Sequence, residues 1–395
     1  MNRTKLPALP RSGDDDHGPE ARSARLELAR AACGSKLEPL DGAQVDARSA
    51  RGNIENMIGF AQVPLGLAGP LCVDTSAGWR EVYVPMATNE GALVASHSRG
   101  MRLLGAGGGA RSRVLKQGLT QNPMLVYPDA AAATRAGQLV CELLPQWREE
   151  LAQRSQHGAL TDARAQVLGR RLILRLEYTT GDAIGINMAA QSADFCSRSL
   201  AQHSAALACY VHGQDVEKRA NARALIEGRG RSVVVDATIP RAALAALART
   251  TPEALVDLHR TYCLGFAQLG TQNWLVQSAN GLAAVMLACG QDVAYLPECA
   301  TGFLDLERTN AGDLYASATL PSLLVGTVGG GSQKGTAAAC LEILGCSGDG
   351  HGNTFAEILG AVVLAGDLSL LAAFASHEFV AAHERLGRNR PPKTH

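Results

Sequence analysis

The chain has 395 residues, with 37 acidic and 37 basic side chains and a formal net charge of zero. This length allows two domains and a large core, whereas the balanced charge argues against a nucleic-acid or anionic-membrane surface. The ten cysteines are scattered without CxxC spacing, and the N-terminus lacks an apolar signal core. These features predict a soluble, cytoplasmic protein in a reducing compartment.

The first part of the chain alternates between polar and breaker-rich segments. Residues 1–20 are polar and include three consecutive aspartates, so we predict a disordered tail. A short helix is predicted at residues 21–32. Residues 51–74 contain too many glycines and prolines for one helix. A strand is predicted at residues 82–86, followed by a polar corner.

From about residue 123 the pattern changes to short strands around one long helix. We expect a small α+β domain at residues 122–210, inserted between two parts of a large domain formed by residues 21–121 and 211–395. Its predicted elements are strands at 125–127, 158–160 and 172–178 and a helix at 130–154.

Residues 252–292 are predicted to form the central core helix of the large domain. No formal charge occurs from Cys263 to Gln291, and a helix that is apolar on nearly all sides must be buried. The alternative is a membrane span. However, Thr271, Asn273 and Gln277 lie in the middle of this run and would be costly in lipid.

Four ionisable residues stand out because each lies in a polar island beside an apolar run: Glu90, Lys218, Asp292 and His383. Taken singly, such residues are more often surface or capping groups. A lysine between two carboxylates, however, is suited to stabilise a developing oxyanion and to relay protons to it. We therefore treat the four as candidate catalytic residues.

Two other motifs concern metals and cofactors. His377 and Glu378 do not begin an HExxH zinc motif, because His383 lies six residues after His377, and no metal site is predicted. The glycine clusters lack GxGxxG spacing, which argues against a standard Rossmann site. In residues 181–188 a glycine-bearing loop leads into a helix, whose N-terminal amides could bind a diphosphate. The alternative is an ordinary helix start capped by Asp182.

Together the motifs resemble those of the 3-hydroxy-3-methylglutaryl-CoA reductase family, in the class I-like form of eukaryotes and many archaea without a membrane anchor. The resemblance covers residues 52–383. The stretches that carry it are ENMIGFAQVPLGLAGPL, MATNEGALVAS, GDAIGINM, IEGRGRSVVVDATIP, ACGQD, TLPSLLVGTVGGGS and GDLSLLAAFASHEFVAAH.

The resemblance implies an α/β (α+β) fold, with a large domain around a long central helix and an inserted ferredoxin-like, nicotinamide-binding domain. It implies four-electron reduction of 3-hydroxy-3-methylglutaryl-CoA (HMG-CoA) to mevalonate and CoA with NADPH. An obligate homo-oligomer, a dimer or tetramer, is also implied.

The resemblance also assigns residue roles. Lys218 would hold the oxyanion, Glu90 would protonate the aldehyde oxygen and Asp292 would tune both. His383 would protonate the departing thiolate. The residues implied to bind the cofactor are Asp182, Gly185, Asn187, Val328 and Gly329. Those implied to bind substrate or CoA are Ser96, Arg99, Arg102, Arg219 and Asn280.

Departures from the family pattern affect recognition of the acyl group. A family arginine that binds the substrate carboxylate falls on Gln121, and an expected lysine has no match nearer than Arg260 or Thr261. A reductase for a different acyl thioester is therefore one alternative. A catalytically silent paralogue that binds CoA esters is another, although the intact catalytic quartet argues against it.

Overall fold

The structure is a computed structural model that describes residues 6–10, 19–40, 53–54, 56, 60–154, 158–214 and 217–376. The strands are β1 Leu65–Thr75, β2 Gly78–Ala87, β3 Ala110–Gln121, β4 Met124–Val126, β5 Ala159–Leu168, β6 Arg171–Thr179, β7 Ala208–Tyr210, β8 Gly230–Ile239, β9 Phe303–Arg308 and β10 Leu314–Leu323. The helices are α1 Pro19–Cys33, α2 Leu93–Ala106, α3 Ala130–Ala152, α4 Ile186–Ser204, α5 Ala222–Ile226, α6 Arg241–Ala248, α7 Pro252–Leu269, α8 Ser278–Ala288, α9 Leu296–Cys299, α10 Gly335–Ile343 and α11 Gly352–Ala375.

The larger part of the sheet has the strand order β2–β1–β3–β8–β10–β9. All neighbouring strands are antiparallel except β1 and β3, which run parallel. Burial alternates strictly along β8, where Val233, Val235, Ala237 and Ile239 face the core. This period of two arises because one face of the sheet packs on helices.

The segment from β4 to β7 forms the smaller part of the sheet together with two helices, in the chain order β4–α3–β5–β6–α4–β7. Its strands are antiparallel and lie in the order β7–β4–β6–β5, and the end of β3 also pairs with β6. Helix α3 begins where Asp129 accepts a hydrogen bond from the amide of Ala132. Trp147 of α3 is buried and donates to Ser199 of α4 at 2.9 Å. The expected ferredoxin-like arrangement is confirmed.

The central helix is α11. All but a few of its residues are buried, and it packs against α2, α7, α8 and the strands β3, β8 and β10. It crosses α2 closely: a Cβ on Gly100 would lie 1.8 Å from the carbonyl oxygen of Ala365, so only glycine fits. By length and composition α11 could also cross a membrane, but 83% of its most apolar window is buried within the fold. It is therefore a core helix.

The prediction of one central helix at residues 252–292 is wrong. Helix α7 ends at Leu269, Gly270 adopts a left-handed conformation (φ 71°) at its C-terminus, and α8 begins only at Ser278. Leu264 and Leu269 on α7 are 69% and 75% exposed. The glycine after Leu269 is a C-cap signal that the uncharged run concealed.

The N-terminal residues pack on the large sheet where the structure describes them. Leu6 and Leu9 contact a small cluster around Tyr83, whose hydroxyl donates to the carbonyl of Pro7. Helix α1 begins at Pro19, within the tail predicted for residues 1–20. The rest of that predicted tail, residues 1–5 and 11–18, lies outside the described residues.

Candidate active site

Lys218 and Asp292 form an ion pair just beyond the C-terminal end of α8. After Ala288 the chain turns at Gly290, which has a φ of 66°, and Asp292 follows. Asp292 Oδ1 accepts a hydrogen bond from the amide of Ala294 at 3.0 Å, which orients the carboxylate. Its Oδ2 lies 3.0 Å from Lys218 Nζ, and both side chains are almost half exposed. The pair is thus fixed in geometry and open to a ligand.

The ring of Tyr295 lies close to the same ammonium group. Lys218 Nζ is 4.9 Å from the ring centroid, within the range of a cation–π contact. The Tyr295 hydroxyl donates to Glu217 Oε2 at 3.3 Å, so the ring is held from its far end. Tyr295 was not predicted as a site residue, because nothing in the sequence indicates that a residue three positions after Asp292 turns back toward Lys218.

Glu90 pairs with Asn280 at the other end of α8. Glu90 follows β2, and its amide donates to Thr88 Oγ1 at 2.9 Å. Asn280 lies in the first turn of α8, and its Nδ2 donates to Glu90 Oε2 at 3.1 Å and Oε1 at 3.3 Å. Two residues predicted for separate roles, one catalytic and one substrate-binding, therefore contact each other directly.

Helix α8 separates the Lys218–Asp292 pair from the Glu90–Asn280 pair. It has 11 residues, so its axis is about 16 Å long at 1.5 Å per residue. Asn280 lies near its beginning and Asp292 beyond its end. The structure thus brings together Lys218 with Asp292 and Glu90 with Asn280, one pair toward each end of the helix. The fourth candidate, His383, lies outside the described residues.

The loop at residues 181–185 leads into α4, as the sequence predicted. Gly185 precedes the helix with a φ of 81°, and a Cβ there would lie 2.5 Å from Thr180 Cγ2, so both conformation and space require glycine. Asn187 is exposed in the first turn. The N-terminal amides of α4 could receive a diphosphate.

Asp182 does not cap α4; it caps α11. Its carboxylate accepts hydrogen bonds from the amides of Gly350 at 2.7 Å and Gly352 at 2.9 Å. Its carbonyl oxygen accepts from the amide of Thr327 at 2.9 Å. The 181–185 loop is therefore joined both to the glycine-rich segment after β10 and to the start of the central helix.

The glycine-rich segment places Val328 and Gly329 at the surface beside this loop. Val328 is half-buried, Gly329 is exposed, and a Cβ on Gly329 would meet no atom within 4 Å. The buried guanidinium of Arg231 connects the two segments, donating to the carbonyls of Gly181 at 2.6 Å and Val325 at 2.5 Å. The exposed backbone of the glycine-rich segment and the N-terminal amides of α4 are suited to bind the diphosphate of a dinucleotide. The chemistry of the predicted cofactor residues therefore fits NADPH.

The predicted CoA-side residues differ in their surroundings. Arg99 on α2 donates from Nε to Ser369 Oγ at 3.0 Å and from Nη2 to the Ser369 carbonyl at 2.6 Å. Ser96 Oγ lies 3.0 Å from the same hydroxyl. Ser96 and Arg99 are thus anchored to α11, whereas Arg102 and Arg219 are exposed. Ser369 was not predicted from the sequence.

A buried charged cluster, which we call the Arg229 cluster, lies next to Lys218. Arg229 is 3% exposed and binds the carboxylates of Glu217 at 2.8 Å and Glu298 at 3.1 Å. Gln121, also buried, donates to Glu217 Oε1 at 2.7 Å. Gln121 therefore contacts protein at the position where the resemblance placed a substrate-binding arginine.

Asp367 on α11 fixes the start of α8 and hence Asn280. Its carboxylate accepts hydrogen bonds from the amides of Val276 at 3.0 Å and Gln277 at 2.8 Å. Complete burial raises the pKa of Asp367 from 3.8 to about 6, against the lowering effect of those two amides.

Asp367→Asn should change how the stability of the protein depends on pH. The raised pKa means that the folded state binds a proton more tightly than the unfolded state. Asp367 therefore reduces stability as pH rises from about 4 to about 6, by roughly 3 kcal/mol. In urea unfolding, we expect the free energy of unfolding of the wild type to fall by roughly 3 kcal/mol relative to that of Asp367→Asn as the pH is raised from 4 to 6.5. Glu149→Gln, at an exposed site on α3, is the control; a flat difference curve for Asp367→Asn contradicts the assignment.

The chain is similar to known proteins in both sequence and fold. The family model for hydroxymethylglutaryl-coenzyme A reductase matches residues 21–388. The 3-hydroxy-3-methylglutaryl-coenzyme A reductase of Methanothermobacter thermautotrophicus is 38% identical over 373 residues, covering 93% of this chain and 94% of the relative. That of Haloferax volcanii is 38% identical over 391 residues, covering 97% of this chain and 96% of the relative.

A solved structure with a similar fold is the class II 3-hydroxy-3-methylglutaryl-CoA reductase of Streptococcus pneumoniae bound to NADPH. It has a TM-score of 0.72 at 20% identity, covering 89% of this chain and 96% of that chain. The chain is thus an enzyme of the oxidoreductase class. It belongs to the hydroxymethylglutaryl-coenzyme A reductase family.

Proposed function

We propose that the protein reduces HMG-CoA to mevalonate and CoA, consuming two NADPH and two protons per substrate. The observation that carries this proposal is the Lys218–Asp292 pair, 3.0 Å apart and open to a ligand, within a chain of this family. NADPH, when bound, supplies one hydride to the thioester carbon and a second to the aldehyde that follows. The C–S bond breaks between the two transfers, and CoA leaves as a thiolate.

Lys218 donates hydrogen bonds from its ammonium group to the oxyanion that develops on the carbonyl oxygen in each step, and it keeps its protons. Asp292 holds that ammonium at 3.0 Å, and charge-assisted donors aimed at developing charge are an effective form of catalysis. Glu90, held by Asn280, delivers a proton to the aldehyde oxygen. His383 protonates the departing thiolate.

The cofactor is assigned to the segment that includes α4 and to the glycine-rich segment after β10. Asp182, Gly185, Asn187, Val328 and Gly329 surround it in this proposal. The ferredoxin-like arrangement of the strands and helices between β4 and β7 supports a small NADPH-binding domain at residues 122–210. Residues 21–121 and 211–395 then form the large domain, on which Ser96, Arg99, Arg102, Arg219 and Asn280 bind HMG-CoA.

We assign the protein to the class I-like branch of the family. Identity of 38% to the archaeal relatives, against 20% to the class II structure, supports this assignment. We also propose a soluble, cytoplasmic protein. The ten free cysteines are consistent with a reducing compartment.

A homo-oligomer is the proposed assembly. Large apolar side chains are exposed on α7, at and just after the end of α8, and at the start of β9, which is unfavourable in an isolated subunit. They are Leu264, Leu269, Leu287, Val293 and Phe303. A second copy of the chain that covers them would also shield the candidate active site from water.

Replacing both Leu264 and Leu269 by glutamate should dissociate the oligomer. Each leucine contributes roughly 1.5–3 kcal/mol when buried, so the dissociation constant should rise on the order of 10³-fold. Size-exclusion chromatography with light scattering measures the mass. Leu207→Glu, at a comparably exposed leucine outside α7, should leave it unchanged. An unaltered mass in the double variant removes α7 from the interface.

The decisive experiment is NADPH oxidation measured with a panel of purified acyl-CoA esters. Reduction of HMG-CoA with the highest kcat/KM supports the proposal. Because Gln121 contacts Glu217, an alternative acyl group is the second candidate. It is favoured if a neutral acyl-CoA reacts at least tenfold faster than HMG-CoA. If none of the esters in the panel supports NADPH oxidation, the protein is instead a catalytically silent protein that binds CoA esters.

A further inference from the structure

Lys218 has a backbone conformation that a residue other than glycine rarely adopts. Its φ is 59°, in the left-handed region, where the Cβ crowds the following carbonyl. Such a conformation persists only when its surroundings enforce it, and it is common at functional sites. The contacts that hold the backbone of Lys218 therefore determine where its ammonium group lies.

Glu298 makes the contact that holds this backbone. Its Oε1 accepts a hydrogen bond from the Lys218 amide at 2.5 Å. Glu298 lies on α9 and is completely buried. A buried carboxylate needs a compensating charge, and Arg229 provides it with Nη1 at 3.2 Å from Oε1 and 3.1 Å from Oε2.

The guanidinium of Arg229 is fixed on its other sides as well. Nε donates to the carbonyl of Thr120 at 3.3 Å, and Nη2 donates to Glu217 Oε1 at 2.8 Å. A planar guanidinium bonded at Nε, Nη1 and Nη2 has little freedom to rotate. Thr120 of β3 and Glu217 therefore fix Arg229, and Arg229 in turn fixes the Glu298 carboxylate that binds the Lys218 amide.

The same cluster also reaches the ammonium end of Lys218. Glu217 Oε2 accepts from the hydroxyl of Tyr295, whose ring lies 4.9 Å from Lys218 Nζ. Lys218 is thus contacted at its backbone by Glu298 and at its ammonium by Tyr295 and Asp292. Two of these three residues, Glu298 and Tyr295, connect to Arg229.

We propose that Glu298 and Arg229 are positioning residues that hold Lys218 in its left-handed conformation and so aim its ammonium at the substrate oxygen. This inference rests on the proposed role of Lys218 as the oxyanion donor. Gln121 belongs to the same cluster, because its Nε2 donates to Glu217 Oε1, which also accepts from Arg229 Nη2. The neutral amide of Gln121 fits there without adding charge.

Glu298→Gln tests the proposal with little change in shape. We expect kcat for HMG-CoA to fall on the order of tenfold to a hundredfold, because small misplacements of a catalytic group cost about that much. The KM values for HMG-CoA and NADPH should stay within about twofold, since Glu298 contacts neither ligand in the proposal. Arg229→Lys keeps the positive charge but loses the planar guanidinium that binds several acceptors at once. It should also lower kcat with little change in the KM values, but by a smaller factor than Glu298→Gln.

A second readout does not depend on catalysis. The rate at which Lys218 reacts with an amine-modifying reagent, followed by peptide mass spectrometry, reports whether its ammonium is held by Asp292 and Tyr295. We expect labelling of Lys218 to become at least threefold faster in Glu298→Gln than in the wild type. Labelling of the exposed Lys116 should be unchanged.

Glu357→Gln is the matched control. Glu357 is as fully buried as Glu298 but accepts from Ser76 and from the amide of Val114, away from Lys218. It should lower thermal stability without altering the labelling rate of Lys218 or kcat. If Glu298→Gln and Arg229→Lys behave like Glu357→Gln, the cluster is merely structural and the proposal is wrong. If the wild type reduces no acyl-CoA, the proposed function fails, whereas the labelling comparison still decides the positioning.

Discussion

We expect Lys218→Met to lower kcat for HMG-CoA reduction by on the order of 10²–10³ or more, with little change in KM. The methionine keeps most of the side-chain length but removes the charge that Asp292 holds at 3.0 Å. Because the oxyanion exists only after hydride attack begins, the lost interaction belongs to the transition state. Steady-state NADPH oxidation, with each substrate varied in turn, separates kcat from KM.

Lys116→Met is the matched control for this variant. Lys116 is exposed on β3, and its ammonium lies 3.5 Å from the carbonyl of Glu227, away from Asp292. The control should keep wild-type kinetics and should show that loss of one positive charge from the protein is not itself inhibitory. Near-normal kcat in Lys218→Met would exclude Lys218 from the mechanism.

His383→Gln should nearly abolish reduction of the thioester while leaving reduction of the free aldehyde, mevaldehyde, largely intact. The thiol of CoA resembles a cysteine thiol, with a pKa of about 8.5, and an imidazole with a pKa of about 6.5 is suited to reprotonate its thiolate near neutral pH. Loss of a general acid costs roughly 10²–10⁴ in rate. The aldehyde step releases no thiolate, so it depends on Glu90 and Lys218 instead.

The two substrates are compared in the same preparation, so misfolding would lower both rates together. His377→Gln, a histidine six residues earlier in the sequence, is the control and should affect neither reaction. An equal loss in both reactions by His383→Gln would mean that His383 supports structure or cofactor binding.

Local patterns predicted the elements that depend on near neighbours in the sequence. Three of the four strands of the ferredoxin-like segment and helix α3 were predicted from local patterns, whereas the short strand β7 was not. The loop at 181–185 was also located correctly, because only glycine satisfies the conformation at position 185.

Long-range partners could not be predicted in this way. Arg229 and Glu298 are 69 residues apart, and nothing near either indicates the other. Asp182 has the sequence context of a cap for α4, yet it binds amides 168 and 170 residues away. The central helix was misplaced for a related reason: the second half of α7, all of α8 and most of α11 are apolar, and only tertiary packing decides which helix is covered on every side.

The burial of α11 has a consequence for the order in which the protein can fold during synthesis. The ribosome makes the chain from its N-terminus, so Gly352–Ala375 emerges after every strand that it covers. The segment from β4 to β7 draws on local pairings and can form as soon as it emerges. The apolar core faces of β3, β8 and β10 stay exposed until α11 has been synthesised and packs against them. Nascent chains of this protein therefore pass through a stage in which the segment from β4 to β7 is folded while the larger part of the sheet is still exposed and prone to aggregate.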